Sequence, residues 1–309
     1  MPMNHIPIRQ NEQKQLERLA AQRELYSAAK VYHGWQITLS VIAPIILSVA
    51  AIIWTATAPF AAAFGLLVLF FDLVVLEPAI KKKRAKAAKI QELFDCDVFE
   101  LPASPLKTVD DITVEEVLTY YDAHRKIPTN IEKIKDWYPV SIGSLPLGIG
   151  RLICQRSNCW WDSRLRERYS SYMRTAGIVV TVLIIVIGVI ANLSVINIVL
   201  VASILSPFFQ FCMKQYTEQR EAAQRLNELA NYAKCVWSSA FNRDEIYAFE
   251  NARRLQDEIF EHRSKSPVIL DFFYNRLRDK DEDLMNRSAE IMIAEAQQQL
   301  TSQDTGNVM

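Results

Sequence analysis

Two long stretches without a charge limit what this chain can fold into. Residues 31–71, between Lys30 and Asp72, are 41 positions with no Asp, Glu, Lys or Arg. Residues 175–213, between Arg174 and Lys214, are 39 more. About 20 apolar residues cross roughly 30 Å of hydrocarbon, so each block is long enough to cross twice. One straight helix per block would run about 58 Å and overshoot the bilayer nearly twofold. Breaks at Thr55–Pro59 and Asn192–Asn197 instead divide the blocks into spans near 35–55, 59–79, 175–191 and 196–213. This pattern excludes an ordinary soluble enzyme. The expected fold class is mainly α: an integral membrane protein with four transmembrane helices in two hairpins, plus helical cytoplasmic segments.

The flanks set the expected orientation. Both breaks are uncharged, whereas Lys30, Lys81–Arg84, Arg164, Arg166, Arg168, Arg174 and Lys214 border the outer ends. By the positive-inside rule both termini are cytoplasmic. The chain then divides into an amphipathic N-terminal helix (1–34), hairpin 1 (35–80), a cytoplasmic helical domain (81–174), hairpin 2 (175–213) and a C-terminal helical domain (214–309). Charge is balanced overall, at 35 basic and 35 acidic residues, but 81–174 carries 17 and 13 and 214–309 carries 13 and 17. Either the two pieces dock on each other, or an anionic ligand chooses the first. Neither excess suggests a DNA or RNA polymer as partner. Five cysteines without metal-ligand spacing read as reduced thiols.

Locally, Leu16, Leu19, Arg23 and Tyr26 follow a helical stripe that runs into span one. Thr113 and Glu116 have capping-box spacing and open a helix to about Arg125. Pro128 starts a short helix to Tyr138, and Pro139–Gly150 reads as a loop. An apolar stripe from Leu226 to Ile259 makes 214–262 one long helix or two, and Thr301–Met309 is a frayed tail.

Asp72 is the most expensive residue in the sequence, a carboxylate inside span two. It reads as a pore or gate residue, or as an inner-leaflet acid neutralised by a proton or a basic flank. Ser203, Ser206 and Gln210 share one face of span four, and Asn192 closes span three. Such stripes hold helices together or line a water path. Pro44 and Pro207 are candidate kinks. Gly143, Gly148 and Gly150 form a loose glycine loop without a Walker motif's context.

Arg151, Arg156, Asn158, Trp160, Trp161, Asp162 and Arg164 lie close together before span three. Arginines beside tryptophans offer phosphate donors with base-stacking faces, or equally a juxtamembrane belt. A second cluster, His262–Pro267 followed by Asp271-Phe-Phe-Tyr274, interrupts the C-terminal helices. The four histidines share no motif, which argues against an enzyme.

With its two hairpins, Leu93-Phe94-Asp95-Cys96-Asp97-Val98-Phe99, Arg156-Ser157-Asn158 with Asp162 and Arg164, and Pro267 with Asp271-Phe-Phe-Tyr274, the chain resembles the SMODS-associating four-transmembrane effectors. Where that family often has a tryptophan after the proline at position 102, this chain has Ala103. The resemblance implies a bacterial inner-membrane effector of CBASS-type antiphage defence. Its activating ligand would be a cyclic di- or trinucleotide from a cGAS-like nucleotidyltransferase, with no other cofactor, and its target the lipid bilayer. Arg151, Arg156 and Arg164 are then expected on phosphates, Trp160, Trp161 or Tyr274 on bases, and Asp162 and Asp271 on the arginines or base amino groups. One protomer has too little polar surface in its spans to line a wide pore, so a homo-oligomer is expected. A membrane-anchored scaffold and a small constitutive channel are the rival readings.

Overall fold

The computed structural model describes residues 3–104, 112–241, 243 and 245–306. Among these, twelve α-helices and no strand occur: α1 (Ile6–Arg9), α2 (Gln13–Ile37), α3 (Ala43–Ile53), α4 (Ala58–Phe71), α5 (Glu77–Val98), α6 (Val114–His124), α7 (Pro128–Glu132), α8 (Leu147–Ile190), α9 (Val195–Ile204), α10 (Ser206–Ala240), α11 (Glu245–Lys265) and α12 (Asp271–Gly306). Three helical rods, or four counting the bent pair α9–α10, are long and apolar enough to cross a bilayer. Phe60, Leu66, Phe70, Ile187, Ile190 and Val195 stand exposed around them, as a lipid-facing surface requires.

In the first hairpin, α2 continues into α3 through a π turn at Thr38–Ile42, and α4 into α5 through another at Asp72–Leu76. Each π turn ends two residues before a proline, Pro44 or Pro78. Proline lacks an N–H, and its ring crowds the carbonyl four residues back, here Ser40 or Val74. A wider turn absorbs that crowding without ending the helix. The bend expected at Pro44 is thus a register change, matched at nearly the same depth on the facing span. The hairpin turn falls at Trp54–Thr57, where the Thr57 hydroxyl donates to the Trp54 carbonyl at 2.7 Å.

The second hairpin turns on Asn192, whose φ of 53° lets the Leu193 amide return to the Gly188 carbonyl at 2.8 Å. Asn tolerates this left-handed conformation better than most residues, and it closes the helix C-terminus. Span four is not one straight helix. α9 and α10 meet at a bend of 59° near Leu205, where Pro207 removes the amide that would bond the Ser203 carbonyl. The single face expected for Ser203, Ser206 and Gln210 is therefore broken between the first and second of them.

Outside the bilayer the two soluble segments share one core. Phe94 and Phe99 from the end of α5, Leu152 and Ile153 of α8, Leu226 and Ala233 of α10, Leu255 and Ile259 of α11, and Met292 and Ile293 of α12 are buried together. α8 is 44 residues long, about 66 Å at 1.5 Å per residue, and so reaches from this core through the membrane. The N-terminus departs from a single amphipathic helix. The short α1 precedes α2, and Asn4 donates to the carbonyls of Ile142 and Leu145 at 2.7 and 2.8 Å. α7 ends at Glu132, short of Tyr138; Asp136 has a φ of 48°, which no α-helix continues through, and the Gln10 side chain takes the Tyr138 amide and carbonyl at 2.6 and 3.0 Å. Thr113 caps the Glu116 amide as its spacing predicts, but the Glu116 carboxylate turns to Lys86 at 2.6 Å. The stripe over 214–262 is two helices, and α12 runs through Gly306 into the segment expected to fray; residues 307–309 lie outside the described part.

The expected glycine loop is corrected as well. Gly148 and Gly150 lie inside α8, not in a phosphate-cradling turn. A Cβ at Gly148 would sit 2.9 Å from the Ala248 Cβ, so glycine permits α8 and α11 to touch. Gly148→Val is expected to destabilise the protein by about 1–3 kcal/mol through overpacking, read as a lower unfolding temperature in detergent.

Candidate functional site

The residues beneath the membrane form two polar layers. The deeper one is centred on Asp95, fully buried on α5. It accepts from Arg263 of α11 at 2.5 Å, the Tyr138 hydroxyl at 2.7 Å and Gln256 at 3.1 Å. Glu92, one turn back, accepts from Gln256 at 2.7 Å and from Arg253 at 2.8 Å. Burial, then the adjacent Asp95 carboxylate, push the Tyr138 hydroxyl well above its ordinary range and keep it a donor. Arg18 of α2 holds Asp97 at 2.5 Å. The run Leu93–Phe99 is therefore a docking strip: its aromatic residues pack inward and its acids pin α2 and α11 to α5.

The upper layer lies where the spans leave the bilayer. Gln36, at the end of α2, donates to Asp72 at 2.8 Å and to Glu77 at 3.3 Å. Its carbonyl oxygen meets His33 Nδ1 at 2.9 Å, which makes Nδ1 the protonated nitrogen and leaves Nε2 an acceptor. Asp72 thus opens one π turn, while Gln36 stands just before the other. π turns inside α-helices often mark functional positions.

Below this chain opens a cavity of about 520 Å³, within the usual size range of ligand pockets. Its walls come from the base of span one (His33, Gln36), the start of α5 (Glu77, Lys81, Arg84), α10 (Lys214, Gln215, Glu218) and the end of α11 with the following loop. His262 faces it from α11. Burial first, then Arg166 nearby, lower the imidazole pKa to about 4.

The arginine–tryptophan cluster is not one surface. At 100° per residue, Arg151, Asn158 and Asp162 fall on one face of α8, and Arg156, Trp160 and Arg164 on nearly the opposite one. Arg151 donates to the Phe99 and Glu100 carbonyls at 2.5 and 3.0 Å and closes the C-terminus of α5. Asn158 donates to the Tyr138 hydroxyl at 2.9 Å. Arg156 reaches the Met292 sulfur at 3.0 Å, Trp160 is half-buried, and Arg164 pairs with Glu167 at 3.1 Å. Asp162 holds Arg166 at 3.1 Å, and Arg166 in turn donates to the Pro267 carbonyl at 2.9 Å. Trp161 and Tyr274 meet edge to face at 5.9 Å, while Lys30 of α2 lies 4.7 Å over the Tyr274 ring and 2.5 Å from Asp271. The structure brings Trp161, Asp271 and Tyr274 together at the base of span one, and turns Arg151 away from the face that Arg156 and Arg164 share. Within the membrane, Ser203 bonds its own helix at the Val199 carbonyl, Ser206 is half-buried, and Gln210 is exposed.

Sequence reasoning missed Gln36, Arg84 and Gln215. Gln36 was detectable as a polar residue inside a charge-free block. Arg84 was visible only as one of a basic run, and nothing marked Gln215.

These features define a helical, multi-pass membrane protein whose extramembrane core is continuous with its spans. The chain belongs to the SMODS-associating 4TM effector domain family, whose model matches residues 4–292. It is also similar to a protein of Bacillus cereus (strain VD146) named as a probable CBASS effector molecule, at 26% identity over 288 residues that cover 90% of this chain and 94% of the relative. No solved structure matches the chain.

Proposed function

We propose that this protein is a membrane-disrupting effector of bacterial antiphage defence, gated by a cyclic oligonucleotide that its extramembrane helices sense. In this reading it sits in the inner membrane with both termini in the cytoplasm. It acts as a homo-oligomer, and a cGAS-like nucleotidyltransferase makes its ligand. Family membership and the relative's name support the defence role. One observation carries the gating. Three helical rods, Gln13–Ala51, Ala58–Val98 and Leu147–Ile190, run unbroken from the shared core into the bilayer. A ligand that prefers one packing of the core therefore biases the spans, provided it binds the two arrangements unequally. Basic residues at all four outer flanks support the orientation. The exposed Ser203 and Gln210, which one protomer does not enclose, support assembly.

The test is dye release from liposomes carrying the full chain, with and without a panel of cyclic di- and trinucleotides. Release dependent on one nucleotide is expected, and Asp72→Leu is expected to abolish it while insertion stays normal. No release from correctly inserted protein favours a scaffold. Release regardless of nucleotide favours a constitutive channel.

A further inference from the structure

The cavity beneath the spans contains polar groups with nothing to bond. Gln215 is 3% exposed, and its side-chain carbonyl oxygen is buried without a partner. His33 Nε2, an acceptor once Nδ1 carries the proton, is buried and unpartnered too. Arg84 uses only Nε, which donates to the Ser264 carbonyl at 3.0 Å; among the described residues its two terminal nitrogens have no hydrogen-bond partner. The neighbouring lysines differ, since Lys81 is paired with Glu77 at 3.2 Å and Lys265 with Glu261. Leaving a buried acceptor unsatisfied costs about 1–3 kcal/mol. One wall thus offers a guanidinium fork with unused donors, which suits an anionic oxygen. Another offers two acceptors that need N–H donors.

A simple polyanion does not match this lining. Glu77, Glu218 and Glu258 face the same space, and they would repel a molecule carrying negative charge alone. A nucleotide with amino-bearing bases matches both halves, because carboxylates and amide oxygens accept from exocyclic amines as they do in base recognition. Depth separates this ligand from a lipid headgroup. Arg225 lines the cavity eleven residues beyond Lys214 on α10, about 16 Å farther along the helix from the end of the charge-free block.

We infer that this juxtamembrane cavity is the seat of the cyclic oligonucleotide, with Arg84 on a backbone phosphodiester and Gln215 and His33 accepting from base amino groups. The assignment rests on the sensing role proposed above and gives it a location. Its consequence is mechanical. The walls belong to the bases of spans one, two and four, so an occupant sets their spacing directly, beside the Gln36–Asp72 contact.

The experiment is equilibrium dialysis of labelled cyclic di- and trinucleotides, with all-adenine, all-guanine and all-uracil members, against the full chain in phosphatidylcholine nanodiscs. Binding of an amino-bearing member with at least tenfold preference over its all-uracil counterpart is expected. Arg84→Gln should weaken it about tenfold, the loss of one charge-assisted contact. Gln215→Leu should weaken it several-fold while the unfolding temperature holds or rises, since it removes an orphaned polar group. A merely structural role for Gln215 would lower both together. Wild-type binding unchanged in both variants overturns the location and leaves sensing intact. No binding of any member to wild type overturns the sensing reading, and the location with it. Loss of binding when phosphatidylglycerol is added to the discs assigns the cavity to lipid and overturns the proposal.

Discussion

Arg263→Ala is expected to destabilise the protein by about 3–5 kcal/mol, because it leaves the Asp95 carboxylate buried without its counter-charge. Asp95 is fully buried, and Arg263 approaches it to 2.5 Å from α11, 168 residues away. The Tyr138 and Gln256 donors remain, but neither is a cation. Unfolding of the purified protein in detergent measures the loss. Lys135→Ala is the matched control, since it breaks an exposed pair with Glu132 that is worth well under about 1 kcal/mol. A fall at Arg263 no larger than at Lys135 would mean that the Asp95 layer does not hold the core together. Asp95→Asn should recover part of the loss in the Arg263→Ala background, because the amide carries no charge to strand.

The second large effect is one of pH. His262 is buried, and its folded pKa is lowered to about 4 from 6.5. Burial is the main cause, followed by Arg166, with Arg263 and Arg225 adding to it and Asp162 opposing. Ser266 Oγ lies 2.8 Å from Nε2 and donates to the His262 carbonyl at 2.7 Å, so the ring stays neutral with its proton on Nε2. The folded state therefore refuses a proton that the unfolded chain accepts below pH 6.5. Stability is fully present above that pH and is lost as pH falls from about 6.5 to about 4, at about 1.4 kcal/mol per pH unit. Denaturation across that window should show about 3 kcal/mol less dependence in His262→Gln than in the natural chain. Equal slopes would exclude His262 as the source. His262 also faces the cavity, so acid loosens the wall on which the ligand proposal depends.

Much of the membrane architecture was legible in the sequence. Both hairpins, the continuity of α2 into span one, and the Thr113 cap follow from short-range patterns. The Pro44 and Pro207 irregularities were visible as positions but not as kinds. One became a π turn that keeps the helix, the other a 59° break. Which outcome a proline produces depends on whether neighbouring helices can accept a widened turn. The candidate site was less legible. Adjacent residues such as Trp160 and Trp161 read as one cluster in a string, but a helix turns them 100° apart. Gln36 and Asp72 are 36 residues apart and meet at 2.8 Å, a pairing that no local pattern shows.

What the sequence alone determined is how often the chain enters the bilayer and where it leaves. That cost is summed residue by residue along a helix, and a run of uncharged apolar side chains carries it without help from any partner. Only the tertiary structure decided which charges find one another: Asp95 with Arg263, Lys30 with Asp271, and Arg253 with Glu92. A buried charge is stable only when a partner from a distant segment arrives at hydrogen-bond distance, and that arrival is a property of packing.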